Sequence, residues 1–255
     1  MLRPALSQLA VAQCVSVRAP ALYTVNNWFN PIYGLMHQNL LTSGYVQVDE
    51  TPVRFMDPDQ KKGKTIQGYL CVMGKPGSDV VFDWQLSRAH KRVTNLLKGL
   101  IQSDGYEAYQ SLAKKDEGVT RTACWAHVRR KFVDATKEHP KLIGLLLRQI
   151  GSLYQWEQLW RGRLSVTGRA EQRQAKFESH LRIIHAIVKI LARHSRPKSK
   201  SGKACTYFFG QWDALQVQLK HGKAELDNNL VENAIRPSAV GIIGLDRTLA
   251  MSTSK

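Results

Sequence analysis

Two short stretches of the chain, Tyr45-Val46-Gln47-Val48-Asp49-Glu50 and Leu100-Ile101-Gln102-Ser103-Asp104-Gly105, share a pattern: an apolar-rich run with strand character that ends on an aspartate. A carboxylate at the tip of a buried strand is costly unless something pairs with it. Two such carboxylates on adjacent strands would repel each other, and a divalent metal is one solution to that repulsion. Magnesium is a hard ion that takes oxygen ligands, and two or three carboxylates can hold a pair of such ions. One ion then activates a water or a 3′-hydroxyl, and the other stabilises the leaving oxygen of an in-line displacement. Period-two alternation puts Val46 and Val48 on one face of the first strand and Gln47, Asp49 and Thr51 on the other. In the second stretch Gln102 and Asp104 share a face, so neighbouring strands in register would bring Asp49 and Asp104 to one end of a sheet.

A third carboxylate is expected from a helix packed near those strand ends. Glu232 is the choice, with Glu225 and Asp227 as rivals; Asp227 also suits a helix cap, and Glu225 precedes the expected helix start. Each acid has an ordinary explanation as well. Glu232 and Arg236 are spaced i,i+4 and suit a surface ion pair. Asp49 precedes Thr51-Pro52 and suits a strand-end turn, and Asp104-Gly105 is a common turn dipeptide.

The charge balance narrows the partner. The 255 residues carry 37 Lys plus Arg against 20 Asp plus Glu, a formal charge of +17. An excess of this size points to a polyanion, and nucleic acid is the common one. With such a partner, a carboxylate-held metal suggests phosphodiester chemistry. Four cysteines, at positions 14, 71, 124 and 205, form no CxxC pair, so neither a ribbon-type zinc site nor a disulfide framework is signalled. Cys124 and His127 make a lone C-x-x-H without a partner pair. No run is long enough for a transmembrane helix. The apolar stretch from Ala5 to Val17 is interrupted by Ser7, Gln8, Gln13 and Ser16, a poor signal-peptide core. The expected setting is cytoplasmic.

Several elements must position the acids. Trp28, Ile32, Leu35 and Met36 recur near helical spacing, interrupted by Pro31. Tyr45–Phe55, Thr65–Met73 and Asp79–Leu86 read as three strands of an antiparallel meander, with Gly74-Lys75-Pro76-Gly77 as a strong turn. A helical stretch with Val93, Leu96, Leu97 and Leu100 on one face leads to the strand ending at Asp104. Tyr106–Leu112 reads as a short helix, Thr120–Trp125 as a fifth strand, and His127–Lys137 as a basic helix. The order is βββαβαβα, so the second aspartate's strand arrives through a helical crossover. After Pro140 the pattern is helical: Leu142–Trp160, Ala170–His194 and Tyr207–Leu219, with Arg196–Lys203 as a basic loop. A last helix starts near Asp227-Asn228-Asn229 and stops at Pro237.

The motifs VQVDETPV (46–53), KTIQGYLCV (64–72), QSDGYEAY (102–109), ACWAHVRRKF (123–132) and DNNLVENAIRP (227–237), in this order, resemble the catalytic part of the insertion sequence 66 family of transposases, of the DDE type. The resemblance implies an α/β fold with an RNase H-like core, a mixed sheet of βββαβαβ order, interrupted by an all-helical insertion. The expected divisions are residues 1–40 as an N-terminal helical or irregular segment, 41–137 as the first part of the core, 138–222 as the insertion, and 223–255 as the core helix carrying the third acid plus an atypical tail. The implied activity is metal-dependent DNA cleavage and strand transfer, with Asp49, Asp104 and Glu232 binding two Mg²⁺ or Mn²⁺ ions. Element ends and target DNA are the implied partners, together with a homo-oligomer and accessory proteins of the same element. Arg129, Arg130, Lys131, Arg193, Arg196, Lys198, Lys200, Lys203 and Arg236 are the candidate DNA contacts. Trp125, His127, Asn228 and Asn229 are supporting motif residues. The run Ser238-Ala239-Val240-Gly241-Ile242-Ile243 departs from the family pattern and reads as a truncated or frameshifted copy. Two alternatives stay open: a catalytically inactive DNA-binding remnant, and an RNase H-like nuclease.

Overall fold

The computed structural model of the chain describes residues 19–56, 65–86 and 97–236. The polar turn at 57–64, the helix expected across Val93 and Leu96, Cys14 and the tail after Arg236 lie outside them. The described residues form a mixed α/β structure of five strands and seven α-helices. Its chain order is α1 (Ala19–Thr42), β1 (Tyr45–Met56), β2 (Thr65–Gly74), β3 (Val80–Gln85), β4 (Gly99–Ser103), α2 (Glu107–Lys115), β5 (Val119–Ala123), α3 (Trp125–Asp134), α4 (Pro140–Trp160), α5 (Val166–His194) and α6 (Lys200–Gln216), then a 3-10 turn at Val217–Leu219. The last helix, α7, spans residues 229–236. Contacts divide the chain into two compact units, one of residues 1–99 with 229–255 and one of residues 100–228.

In the first unit β1, β2 and β3 form the expected antiparallel meander, in the order β3-β2-β1. β1 and β2 pair from Gln47↔Gly74 to Met56↔Thr65, with Asp49 opposite Val72. The β2–β3 turn closes through Ser78 N–H donating to Lys75 O at 3.2 Å, and Gly77 supplies its positive φ of 73°. Directly opposed residues of an antiparallel pair point to the same face. On the face of Val72, α7 lays Val231 and Ile235 against Val72, with Val80, Phe82 and Ala234 around them. Gly68 is required on this face, because a Cβ there would overlap the Trp84 ring. Pro31 does not break α1, which runs through it as one helix. The lost N–H costs one intrahelical bond and the helix continues on either side. The apolar spacing of α1 is not its buried face: Trp28, Ile32 and Leu35 are exposed, while Leu40 is buried and Tyr33 donates its hydroxyl to Phe82 O at 2.9 Å.

In the second unit β4 neighbours β5, and the remainder is helical. Its apolar core runs without a break from α3 through α4 and α5 to α6, with Trp125, Phe132, Leu146, Ile150, Phe177, Ile184 and Phe208 buried together. Trp125, read in the sequence as the end of a strand, instead opens α3. Leu100, read on a helix face, lies in β4. The segment Arg196–Lys203 is only partly a loop: Ser199 caps α6 by accepting from Gly202 N–H at 3.1 Å, and Lys200 starts the helix. A Cβ at Gly202 would overlap Arg196 O, so the glycine lets the turn fold onto the helix.

Residues 217–226 return from the helices towards β4 and β5 as a strap. Its carbonyls are held by Arg173 of α5, which is 0% exposed. Arg173 Nη1 donates to Gln218 O at 3.1 Å and His221 O at 3.0 Å, and Nη2 donates to Ala224 O at 2.7 Å. Its Nε pairs with Glu157 of α4. Gly222 lies so close to α5 that a Cβ would overlap Val166 O. The strap is also bonded to β4, β5 and the start of α3: Gln102 Nε2 donates to Glu225 O at 2.8 Å, Gln218 Nε2 to Ala123 O at 2.7 Å, and Trp125 N–H to Leu226 O at 2.9 Å.

Arg173→Met removes the bonds to three strap carbonyls and one of the two cations on Glu157, so it is expected to lower stability by ~3 kcal/mol. Glu157→Gln keeps an acceptor for Nε and is expected to cost clearly less. Urea unfolding of the two variants beside wild type checks this ordering; equal losses would show that the strap does not depend on the guanidinium.

Candidate active site

Asp49 sits within β1 and is half-buried. Its register opposite Val72 puts it on the face that α7 covers, as period-two alternation predicts. Glu232, half-buried, follows Val231 on α7, the residue that anchors this helix to the sheet. The helix of the third candidate acid thus packs on β2 and β3, on the sheet face that carries the first candidate acid in the neighbouring β1.

Asp104, half-buried, belongs to the second unit and stands one residue past β4. Its Oδ1 accepts from Tyr106 N–H at 2.9 Å, so the aspartate does act as the turn residue that the Asp-Gly dipeptide suggests. Its backbone carbonyl accepts from Arg121 Nη1 at 3.2 Å. Arg121 Nη2 donates to Gln211 Oε1 of α6 at 2.7 Å. Burial holds the Arg121 guanidinium below its ordinary pKa, opposed by Tyr207 and by the charge of Asp104. Tyr207 is pushed above its ordinary value, first by burial and then by Asp104. Neither Arg121 nor Gln211 is singled out by sequence reasoning, because their partners are 17 and 90 residues away.

The rivals for the third acid have structural work in the second unit. Glu225 accepts from Arg169 Nη1 at 3.1 Å. Asp227 lies beside Tyr154, whose hydroxyl is pushed above its ordinary pKa by burial first and by that carboxylate second. Asn228 is 0% exposed, and neither of its amide atoms has a hydrogen-bond partner among the described residues. Cys71, Cys124 and Cys205 are buried and form no disulfide among the described residues. Cys124 and His127 flank the start of α3.

The candidate DNA contacts are all exposed: Arg129, Arg130, Lys131, Arg193, Arg196, Lys198, Lys200, Lys203 and Arg236. On α3 the cause is plain. Trp125, Val128 and Phe132 take the buried stripe, which leaves residues 129–131 outside. Lys131 Nζ lies 4.5 Å from the centroid of the Tyr207 ring. At the start of α6 the basic run surrounds an acid. Glu138 accepts from Lys200 N–H at 3.0 Å and Ser201 N–H at 2.9 Å, and from the Ser201 hydroxyl. These bonds to Ser201 first, with Lys200 and Ser199 adding to them, hold its carboxyl down at about 2.

Comparison with known proteins gives this geometry a family. The Transposase IS66 family matches residues 6–242, a span that begins well before the motifs read in the sequence. "Uncharacterized protein y4jD" of Sinorhizobium fredii (strain NBRC 101917 / NGR234) is 29% identical over 232 residues, covering 84% of this chain and 44% of that protein. "Uncharacterized protein y4qI" of the same strain is 33% identical over 153 residues, 56% of this chain and 28% of that protein. The chain thus spans less than half the length of these curated relatives. No described helix is long and apolar enough to cross a membrane.

Because the Glu138 carboxyl is held below its ordinary value of 4.5, its contribution is complete above that pH and lost as pH falls through about 2. Melting temperatures of wild type and Glu138→Gln are expected to differ most above pH ~5 and to converge near pH ~2. A constant difference across that window would assign the effect to packing.

Proposed function

The chain belongs to the transposase IS66 family, and on that footing we propose that it cuts and joins DNA strands using Asp49, Asp104 and Glu232 as one metal-binding set. The observation that carries this reading is the placement of Asp49 of β1 on the sheet face where Val231 and Ile235 of α7 pack against β2 and β3. A strand aspartate and a helix glutamate on one face form a donor pair of hard oxygens, the chemistry that magnesium and manganese select. Asp104 ends its strand with Oδ1 committed to Tyr106 N–H, which leaves Oδ2 for a metal.

When bound, two Mg²⁺ or Mn²⁺ ions supply an activated oxygen nucleophile and charge relief at the leaving oxygen. The chain's own residues do the rest. The three carboxylates hold the ions, and the exposed arginines and lysines of α3 and of the α5–α6 junction bind phosphates of element ends and target DNA. The fold in this reading is an RNase H-like core whose strands are separated from α7 by the helical segment. Assembly into multimers on paired DNA ends, with accessory proteins of the same element, completes the proposal.

Nicking of supercoiled plasmid by purified protein in Mn²⁺ tests the triad. Asp49→Ala, Asp104→Ala and Glu232→Ala are each expected to slow nicking about a hundredfold or more, while Asp227→Asn keeps the wild-type rate. If wild type and Asp49→Ala nick equally, this copy does not use the triad, and DNA binding that survives marks an inactive remnant. Preference for RNA–DNA hybrids would instead assign a nuclease. For the basic surface, replacing Lys200 and Lys203 by alanine is expected to reduce the slope of log K against log salt by about one for each phosphate left without its cation. An unchanged slope would remove these two lysines from the interface.

A further inference from the structure

The helical unit does more in this fold than separate the acids. Gly105, the residue after Asp104, lies under α6: a Cβ there would stand 2.7 Å from Tyr207 Cε2 and 3.0 Å from Gln211 Nε2. Only glycine leaves room for this approach. Arg121 of β5 reaches across the same junction, donating to Asp104 O at 3.2 Å and to the buried Gln211 at 2.7 Å. A planar guanidinium with two directed bonds fixes a distance and an angle, which a flexible ammonium does not. The loop is closed on its other side by Gln110 Nε2 donating to Gly105 O at 2.9 Å and by Tyr106 N–H on Asp104 Oδ1. Backbone, following residue and carboxylate of this one aspartate are thus each held by a different element.

We propose that Arg121 and Gln211 are positioning residues that set the direction of the Asp104 carboxylate, so that α6 is part of the machinery of the second acid. This rests on the reading of Asp104 as a metal-binding acid. A carboxylate that must meet a metal within a few tenths of an ångström gains from such support, and misplacement by about 1 Å costs up to about a hundredfold in rate. The proposal also accounts for burying a cation: Arg121 gives up solvation and its two bonds go to the acid's backbone and to α6.

The test compares wild type, Gln211→Leu and Gln211→Glu in the full chain. Leucine keeps the bulk and removes the acceptor for Arg121, whereas glutamate keeps an acceptor. Gln211→Leu is expected to raise the Mn²⁺ concentration for half-maximal nicking about tenfold with DNA binding retained, and Gln211→Glu to restore it. Hydrogen exchange at the Tyr106 amide, which reports the bond to Asp104 without any activity, is expected to be about tenfold faster in Gln211→Leu alone. Wild-type exchange and Mn²⁺ dependence in Gln211→Leu overturn the proposal. If wild type does not nick but exchange at Tyr106 rises in Gln211→Leu, positioning holds and the catalytic reading fails. If nicking depends on Asp104 but exchange and Mn²⁺ dependence ignore Gln211, the catalytic reading holds and positioning fails.

Discussion

One buried guanidinium organises the second unit. Arg173 donates to a carboxylate on α4 and to three carbonyls of the strap, and no apolar residue offers that combination. Burying a charge in the helical core is unfavourable unless every donor finds an acceptor. Here Glu157 balances the charge and itself accepts from Arg169 at 2.8 Å, and Arg169 in turn holds Glu225. Three strap carbonyls, some of which also accept backbone N–H bonds within the strap, receive a further donor from this one side chain. Gly222 against Val166 gives the chain the clearance it needs to run there.

The consequences extend along the strap in both directions. Its outer edge accepts from Gln102 beside the second aspartate and from Trp125 at the start of α3. Two residues beyond the strap comes Asn228, immediately before the helix that carries Glu232. The helical segment therefore acts as a brace for the strand that leads to Asp104, as well as an addition to the fold. The buried amide of Asn228 has no partner among the described residues, as is also true of Gln218 Oε1 within the strap and Arg169 Nε beside it. An orphaned polar group of this kind costs about 1–3 kcal/mol, and such costs are tolerated most often where function is served.

Much of the strand framework was legible in the sequence for local reasons. The turn at Gly74–Gly77 is written in glycine and proline chemistry, and alternation alone assigned Asp49 to the face that α7 covers. The short helix after Asp104 and the three long helices follow from apolar spacing. What escaped was long-range or ambiguous. Arg173 looks like any cation on a basic helix, and its strap partners are 45 to 51 residues away. The run from Arg196 to Lys203 reads as a solvated loop by composition, although Ser199 and Gly202 carry the cap signal that the structure uses. Trp28, Ile32 and Leu35 have helical spacing and yet face outward, because periodicity gives a helix its stripe without saying which surface covers it.

The core of the first unit has an unusual history written into its order of residues. Val72, Val80 and Phe82 are made early, but the side chains that cover them, Val231 and Ile235, come from α7. All of residues 100–228 must leave the ribosome in between. At ordinary rates of synthesis that delay is roughly ten seconds. Until α7 is made, Val72, Val80 and Phe82 lack the side chains that cover them in the fold, so this core closes only near the end of synthesis.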